Sequence, residues 1–259
     1  MRNPKVCILR TAGTNCDRET AFAFSRVGGD PELVHIKKFV SGKRCLSEFS
    51  ILAFPGGFSY GDDVGAGKIM ANEIKHKLME EIKDFIGTGR LIIGICNGFQ
   101  ILVKAGLLPG NEAFAQEASL IINDSGKFED RWVYLRSQAR CVWTKGLPQV
   151  IYLPVAHGEG KFIFKDRAVL ERLKKKGQIV FKYCDMSGKP GRYPDNPNGS
   201  VENIAGICDE TGRVLGLMPH PERHSFSWQH PRWTDGHAKR EGDGLEIFRN
   251  GIEYARKII

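Results

Sequence analysis

Six residues in the first half of the chain have the types and spacing of a nucleophile turn, Gly94-Ile95-Cys96-Asn97-Gly98-Phe99. The apolar run Leu91-Ile92-Ile93 precedes them, and a helical stretch that starts at Gln100 follows. A strand that turns directly into a helix needs glycine where backbones approach closely, and it holds the nucleophile exposed at the end of the strand. Most free cysteines are inert, buried residues, but this context favours a nucleophilic role for Cys96.

A thiol nucleophile needs a base, and the base needs a group that orients it. His220 is the best candidate of the seven histidines because it follows an apolar run and precedes Glu222 by two places. Residues i and i+2 of an extended backbone face the same side, so we expect His220 and Glu222 to project together, with Pro219 and Pro221 stiffening the segment. Glu222 would then orient the imidazole while His220 faces the thiol. A surface ion pair is the alternative interpretation of this pattern.

Cleavage of an amide also requires donors for the oxyanion of the tetrahedral intermediate. Gly56 and Gly57 follow the apolar run Ile51–Phe54 and could turn their amides towards a ligand. The amide of Asn97, next to the nucleophile at the start of a helix, is the natural second donor. Alone, the glycine pair would indicate an ordinary tight turn.

Two other kinds of chemistry fit the sequence poorly. His-x-Glu begins the zinc deaminase signature, but no Pro-Cys-x-x-Cys follows, and Pro221 replaces the glutamate of His-Glu-x-x-His between His220 and His224. The stretch 62–69 resembles a phosphate-binding loop, but Ile69 stands where that loop needs serine or threonine. We therefore expect no metal site and no ATP site in this chain.

Composition limits the class of protein. The 259 residues are 41% hydrophobic and 26% charged, with no run near the roughly 20 apolar residues that a membrane span needs. No signal peptide is evident, and the seven cysteines form no Cys-x-x-Cys pair, which predicts a reducing cytoplasm. The net charge is +8, but the densest run of basic residues, Lys174-Lys175-Lys176, is typical of a solvated helix end. Steering of an anionic substrate or acidic partner is the alternative; we expect neither nucleic acid nor membrane binding.

Hydrophobic periodicity predicts alternating strands and helices in the first half, as a doubly wound parallel sheet requires. A helix capped by Thr14 or Asn15 should run to Val27, and another should end at Gly87. The strands predicted there are Val6–Leu9, Leu33–Ile36, Ile51–Phe54 and the one leading to Cys96. The second half should hold strands at 119–123, 132–137, 150–155 and 179–183, a helix at 168–176, a hairpin of 204–208 with 214–218, and a closing helix at 245–257. One α/β domain with a mixed or antiparallel flank fits best.

The motifs at residues 55–57, 94–100 and 220–222 resemble, in order and kind, those of the class I (triad) glutamine amidotransferases. Further motifs are similar to those of one branch, the glutaminase subunits of phosphoribosylformylglycinamidine synthases. They lie at residues 13–17, 57–63, 96–100, 156–160, 196–200 and 218–223. The resemblance therefore covers nearly the whole chain.

This resemblance implies a single domain over residues 1–259, built on a flavodoxin-like, mostly parallel sheet with flanking helices and a smaller mixed or antiparallel part. It implies that the chain hydrolyses L-glutamine to glutamate and ammonia through a cysteine thioester. The implied site consists of the triad Cys96, His220 and Glu222, the oxyanion-hole residues Gly57 and Asn97, and the substrate-binding residues Gly56, Phe58 and Gln100.

The resemblance also implies partners. Ammonia would pass to a large synthetase subunit, which uses ATP and magnesium to make formylglycinamidine ribonucleotide in purine synthesis, and a small third subunit would bridge the two. This chain would need no cofactor of its own. It departs from the pattern at Ala12, where proline is common, and at Lys239–Gly244, which puts the interface in doubt rather than the triad.

Three other interpretations remain open. The chain could be a stand-alone cysteine hydrolase such as a γ-glutamyl hydrolase or a peptidase, or a regulatory subunit with a dead site. Cys16, at a predicted helix start, could be a redox-active thiol, although the sequence places no base near it. The role of His157 is a separate open question: it could be a buried core histidine or a partner contact.

Overall fold

The computed structural model describes residues 3–235 and 241–258. In this part of the chain the strands are β1 Lys5–Arg10, β2 Asp30–His35, β3 Ile51–Phe54, β4 Leu91–Ile95, β5 Ala118–Ile121, β6 Glu129–Ser137, β7 Val150–His157, β8 Lys161–Phe164, β9 Ile179–Cys184, β10 Ile204–Cys208 and β11 Val214–Leu217. The α-helices are α1 Asp17–Arg26, α2 Lys37–Val40, α3 Lys68–Lys77, α4 Met79–Gly87, α5 Asn97–Lys104, α6 Arg167–Lys176 and α7 Leu245–Ile258.

Nine of these strands form one sheet in the order β2-β1-β3-β4-β11-β10-β9-β6-β7. The first five are parallel to one another, and the pairs from β11 to β7 are antiparallel. The predicted α/β fold with helices around a central sheet is confirmed. The predicted antiparallel part continues that sheet on its β11 side, and β5 pairs with β8 as a small second sheet.

Burial explains why the apolar runs become strands of the sheet centre. β3 and β4 are buried along their full length, as expected for parallel strands that are covered on both faces. α7 buries one side, including Phe248, whose ring meets Phe24 of α1 edge to face at 4.9 Å between centroids. Helices thus cover the sheet and bury its hydrophobic faces.

The strand order brings the predicted site residues to one edge of the sheet. β4 lies between β3 and β11 and is parallel to both, with Phe54 opposite Gly94 and Leu217 opposite Ile95. The carboxyl ends of the three strands therefore meet, which is where open α/β sheets bind ligands. The turn after β3, Cys96 and the segment that leads to His220 all start from this edge.

The structure differs from the local predictions in several places, of which three have a clear physical reason. α1 is capped by Cys16 with no side-chain hydrogen bond, because Thr14 Oγ1 accepts instead from the amide of Thr11. The helix predicted to end at Gly87 is two helices, since Leu78 leaves helical geometry with φ −129°. β8 was not predicted; it is four residues long and too short for a clear alternating pattern.

Two remaining predictions concern the lysine run at residues 174–176 and membrane-spanning helices. The lysine run ends α6 as predicted, and two of its three members pair with carboxylates: Lys174 with Glu202 at 2.9 Å and Lys176 with Glu210. Among residues 3–235 and 241–258, no helix combines the length and apolar character that crossing a membrane would need.

Candidate active site

Cys96 stands at the turn between β4 and α5 with a strained backbone, φ 51° and ψ −106°. Its amide donates to the carbonyl of Leu217 at 2.8 Å, and its carbonyl accepts from the amide of Gln100 at 3.1 Å. A non-glycine residue at positive φ is uncommon and costs energy, so surrounding contacts must hold it in place. The predicted tight turn from strand to helix is present, but Cys96 is buried, with 6% of the residue exposed, where the sequence predicted an exposed nucleophile.

The turn depends on a close approach between α5 and β3. A Cβ on Gly98 would lie 1.9 Å from the carbonyl oxygen of Phe54, a distance that no side chain tolerates. Glycine at this position lets the nucleophile helix rest directly on the strand that leads to the predicted oxyanion turn.

Replacing Gly98 by alanine is therefore expected to lower the free energy of unfolding by roughly 3 kcal/mol or more, because backbone must move to admit the methyl group. Gly87 is the matched control, since it ends α4 and a Cβ added there would meet no atom within 4 Å. Gly87→Ala should change stability by no more than about 1 kcal/mol. Chemical denaturation of both variants measures the difference; equal effects would contradict the close-packing argument.

His220 and Glu222 are joined by a short hydrogen bond in the interior. The ring Nδ1 donates to Glu222 Oε1 at 2.6 Å, and both residues are no more than 3% exposed. The surface ion pair is thereby excluded. The predicted reason was wrong in one respect: Pro221–Arg223 is a turn of 3₁₀ helix rather than an extended segment, and this turn brings the two side chains together.

The electrostatics of this pair favour a protonated imidazole. Burial alone would lower the pKa of His220, but the Glu222 carboxylate and the nearby thiols of Cys96 and Cys16 raise that pKa well above its usual value. His220 can therefore hold a proton taken from a thiol, which is what a thiolate–imidazolium pair requires.

Gly56 lies where the side chains of His220, Cys16 and Cys96 converge. A Cβ at this position would be 2.8 Å from His220 Cε1, 3.1 Å from Cys16 Sγ and 3.5 Å from Cys96 Cβ. Polar atoms of Cys16, His220 and Glu222 lie within 4.8 Å of one another. These groups do not fit a metal site, because the carboxylate and the imidazole already bind each other through Oε1 and Nδ1.

The predicted oxyanion residues are held by a side-chain network. Asn97 Oδ1 accepts from the amide of Ser59 at 3.2 Å, and Asn97 Nδ2 donates to Asp62 Oδ1 at 3.1 Å. The turn that carries Gly57 is thus fastened to the first residue of α5. Asp62 also accepts from the amide of Gly67, so a carboxylate sits where a phosphate-binding loop would take its anion.

Gln100 and Phe58, both predicted to bind substrate, occupy different surroundings. Gln100 is 4% exposed; its Oε1 accepts from Asn97 Nδ2 at 2.9 Å and its Nε2 donates to the carbonyl of Glu159 at 2.6 Å. Both ends of this amide are therefore engaged by the protein, which fits positioning of the site better than direct contact with glutamine. Phe58 is 47% exposed, on the open side of the turn.

Comparison with known proteins places this geometry in a family. The family model described as the CobB/CobQ-like glutamine amidotransferase domain matches residues 3–255. The chain belongs to the glutamine amidotransferases.

Relatives of this amidotransferase are similar over their whole length. It is 50% identical to phosphoribosylformylglycinamidine synthase subunit PurQ of Dehalococcoides mccartyi, with 100% of both chains covered. It is 45% identical to the subunit of the same name from Methanococcus maripaludis, with 98% of each covered. Among solved structures, that of PurLQS from Thermotoga maritima matches with TM-score 0.75 and 32% identity, covering 97% of this chain and 99% of the other.

His157 of the amidotransferase is a buried core histidine rather than an exposed partner contact. It is 3% exposed; its Nδ1 donates to Asn123 Oδ1 at 3.2 Å, and Asn198 Nδ2 approaches its Nε2 at 3.5 Å. Burial, and then the charge on His220, lower the pKa of His157 to about 3.

The lowered pKa gives a stability prediction. The unfolded chain protonates His157 near its ordinary pKa of about 6.5, whereas the folded protein does so only near 3, so the unfolded state binds more protons between these values. The free energy of unfolding should fall as pH decreases from about 6.5, with His157 contributing up to about 1.4 kcal/mol per pH unit. His157→Asn should flatten this slope in denaturant titrations, whereas His76→Asn, which removes an exposed histidine, should not. Equal slopes in all three proteins would contradict the assignment.

The departing segment Lys239–Gly244 is described from residue 241 onwards; residues 239 and 240 lie outside the described residues. The amide of Gly244 donates to the carbonyl of His224 at 2.9 Å, and a Cβ on Gly244 would lie 2.0 Å from the carbonyl of Pro221. The described part thus packs directly against the turn that carries Glu222.

The sequence reasoning missed two contacts around the turn that carries His220. His220 lies beside Cys16, although the two are 204 positions apart and no local pattern connects them. Arg223 donates to Cys16 Sγ at 3.3 Å and to Glu19 Oε1 at 2.9 Å, which ties α1 to the turn that carries His220 and Glu222. The one available signal was the motif at 13–17, whose family resemblance assigned no role to Cys16.

Proposed function

We propose that this amidotransferase is the glutaminase subunit of a phosphoribosylformylglycinamidine synthase. It hydrolyses L-glutamine to glutamate and ammonia, and the ammonia passes to a synthetase subunit. The observation that carries the proposal is the buried His220–Glu222 hydrogen bond beside the Cys96 turn. The full-length similarity to subunits named PurQ supports the particular complex.

The first half of the reaction forms a thioester. Cys96 gives its proton to His220, and its sulfur attacks the side-chain amide carbon of glutamine. The resulting oxyanion is stabilised by the amides of Gly57 and Asn97, the latter at the N-terminal end of α5. His220 returns the proton to the leaving nitrogen, the carbon–nitrogen bond breaks, and ammonia is released.

The second half of the reaction restores the enzyme. Water attacks the γ-glutamyl thioester, His220 accepts its proton, and glutamate leaves as the Cys96 thiol is reprotonated. Glu222 keeps the imidazole oriented and stabilises its charged form in both halves. Gly56 allows the side chains to converge, Phe58 borders the entrance for glutamine, and Gln100 fixes the backbone of Glu159.

The other components lie outside this chain. We infer a large synthetase subunit that uses ATP and magnesium to convert formylglycinamide ribonucleotide to the amidine, and a small bridging subunit. The similarity to a chain of PurLQS from Thermotoga maritima supports a multi-subunit complex. This chain acts without a cofactor of its own, in the cytoplasm, without nucleic acid or membrane.

Assembly with the synthetase provides the test. The two proteins are co-purified, and glutamate release is measured for this chain alone and in the complex with ATP and formylglycinamide ribonucleotide. A channelling glutaminase should be weak alone and strongly stimulated in the complex. Full turnover without a partner would favour the alternative, a stand-alone cysteine hydrolase of the same fold.

A further inference from the structure

A second buried thiol, Cys16, lies in the catalytic centre and has no place in the reaction described above. It caps α1 and is 1% exposed. Its S–H donates to Asn15 Oδ1 at 3.2 Å, and its sulfur accepts from Arg223 Nη2 at 3.3 Å. Burial raises the pKa of this thiol, so it stays protonated at neutral pH and is a poor nucleophile.

The imidazole of His220 is close to both cysteines. The position that a Cβ on Gly56 would take lies within 3.5 Å of His220 Cε1, Cys16 Sγ and Cys96 Cβ. Nδ1 of the ring is occupied by Glu222, and Nε2 is buried without a hydrogen-bond partner among the described residues. A buried polar atom is normally hydrogen-bonded, so Nε2 is the ring nitrogen that still lacks its expected partner.

Nε2 of His220 has two roles while the thioester forms. It takes the proton from Cys96, and it must hold that proton from the attack of the thiol until ammonia leaves. The sulfur of Cys96 is bonded to the γ-glutamyl carbon in that interval and is a poor acceptor. A neutral sulfur whose own proton points to Asn15 can accept from Nε2–H without competing for the proton.

We propose that Cys16 is a positioning residue of the glutaminase, whose sulfur, held by Asn15 and Arg223, accepts the Nε2–H of protonated His220 and keeps the ring aligned between proton uptake and release. This inference rests on the proposed function. It adds a residue that acts through His220 and does not touch glutamine.

The effect on pH dependence follows from the groups that face His220. They are Glu222 on its own turn, Cys96 at the start of α5, Cys16 at the start of α1 and His157 at the end of β7. The Arg223 guanidinium, which donates to Cys16 Sγ, is a further charge on the same turn as Glu222. Cys16 stabilises the imidazolium. Its removal should therefore let the imidazolium lose its proton at lower pH, with the other three groups unchanged.

The experiment compares Cys16→Ala, Cys16→Ser and the wild-type chain. Cys7→Ala is the matched control, because Cys7 is fully buried in β1. The first readout needs no glutamine: the rate of alkylation of Cys96 by iodoacetamide is followed against pH by mass spectrometry. The second is kcat and KM for glutamine in the complex, and thermal unfolding shows that each variant is folded.

For Cys16→Ala we expect the upper inflection of the alkylation profile, where the imidazolium loses its proton and leaves a free thiolate, to move to lower pH by about half a unit to one unit. Loss of one hydrogen bond should lower kcat about tenfold with KM within about twofold. Cys16→Ser, which keeps an acceptor, should recover most of both, and Cys7→Ala should match the wild type. An unchanged profile and kcat in Cys16→Ala, or equal losses in the alanine and serine variants, would overturn the inference.

The readouts separate this inference from the proposed function. A shifted alkylation profile in a complex that hydrolyses no glutamine would support the role of Cys16 and refute the glutaminase. An unshifted profile in an active complex would refute Cys16 alone.

Discussion

Replacing Cys96 by alanine is expected to abolish glutamine-dependent synthesis by the assembled complex and to leave ammonia-dependent synthesis intact. The sulfur of Cys96 is the one atom of the chain that forms a covalent bond to glutamine. Its loss should therefore reduce glutamine-dependent product formation by about 10³-fold or more. Free ammonia bypasses this site and reaches the synthetase directly. The measurement is product formation at saturating glutamine and, separately, with an ammonium salt at alkaline pH.

A buried cysteine outside the site provides the control. Cys184 lies at the end of β9 and is 1% exposed, so Cys184→Ala removes a similar thiol without touching the triad. It should retain both activities. If Cys96→Ala loses the two activities equally, ammonia transfer from this subunit is not its function.

Replacing Glu222 by glutamine is expected to lower kcat by about 10²- to 10⁴-fold, because the imidazole loses the group that orients and charges it. The carboxylate opposes the effect of burial and helps to raise the pKa of His220. Without it, burial dominates and this pKa falls, so the imidazolium is lost at lower pH. The alkaline limb of kcat/KM should therefore move to lower pH, while KM changes little.

Glutamine is nearly isosteric with glutamate, so the variant should fold, and thermal unfolding verifies this. Glu117→Gln is the control, since Glu117 is a partly buried carboxylate that pairs with Arg172 outside the triad. Its pH profile should coincide with that of the wild type. A Glu222→Gln enzyme whose pH profile also coincides would show that the short hydrogen bond has no influence on the base.

The parts of the fold that sequence predicts well are those with a strong local pattern. β3 and β4 are uninterrupted apolar runs, and α7 repeats its buried residues at helical spacing. The break at Leu78 was missed because the same apolar face continues from α3 into α4. The order in which the antiparallel strands pair with the parallel sheet was not predicted, since pairing between distant strands leaves no local signal.

The same distinction between local patterns and distant pairing applies to the candidate site. Gly-x-Cys-x-Gly after an apolar strand predicts a strained turn from covalent geometry alone, and Cys96 has that geometry. The pairing of His220 with Glu222 was predicted from their spacing, although the turn that achieves it is helical. The proximity of Cys16 could not be predicted, because it depends on β1 and β11 ending at the same edge of the sheet.

Trapping of the thioester tests the central claim most directly. The enzyme is mixed with glutamine, quenched in acid within its turnover time and digested, and each of its seven cysteines is examined by mass spectrometry for a γ-glutamyl group. The account predicts the adduct on Cys96 and on no other cysteine. An adduct on Cys16 instead, or glutamate release by Cys96→Ala at the wild-type rate, would contradict it.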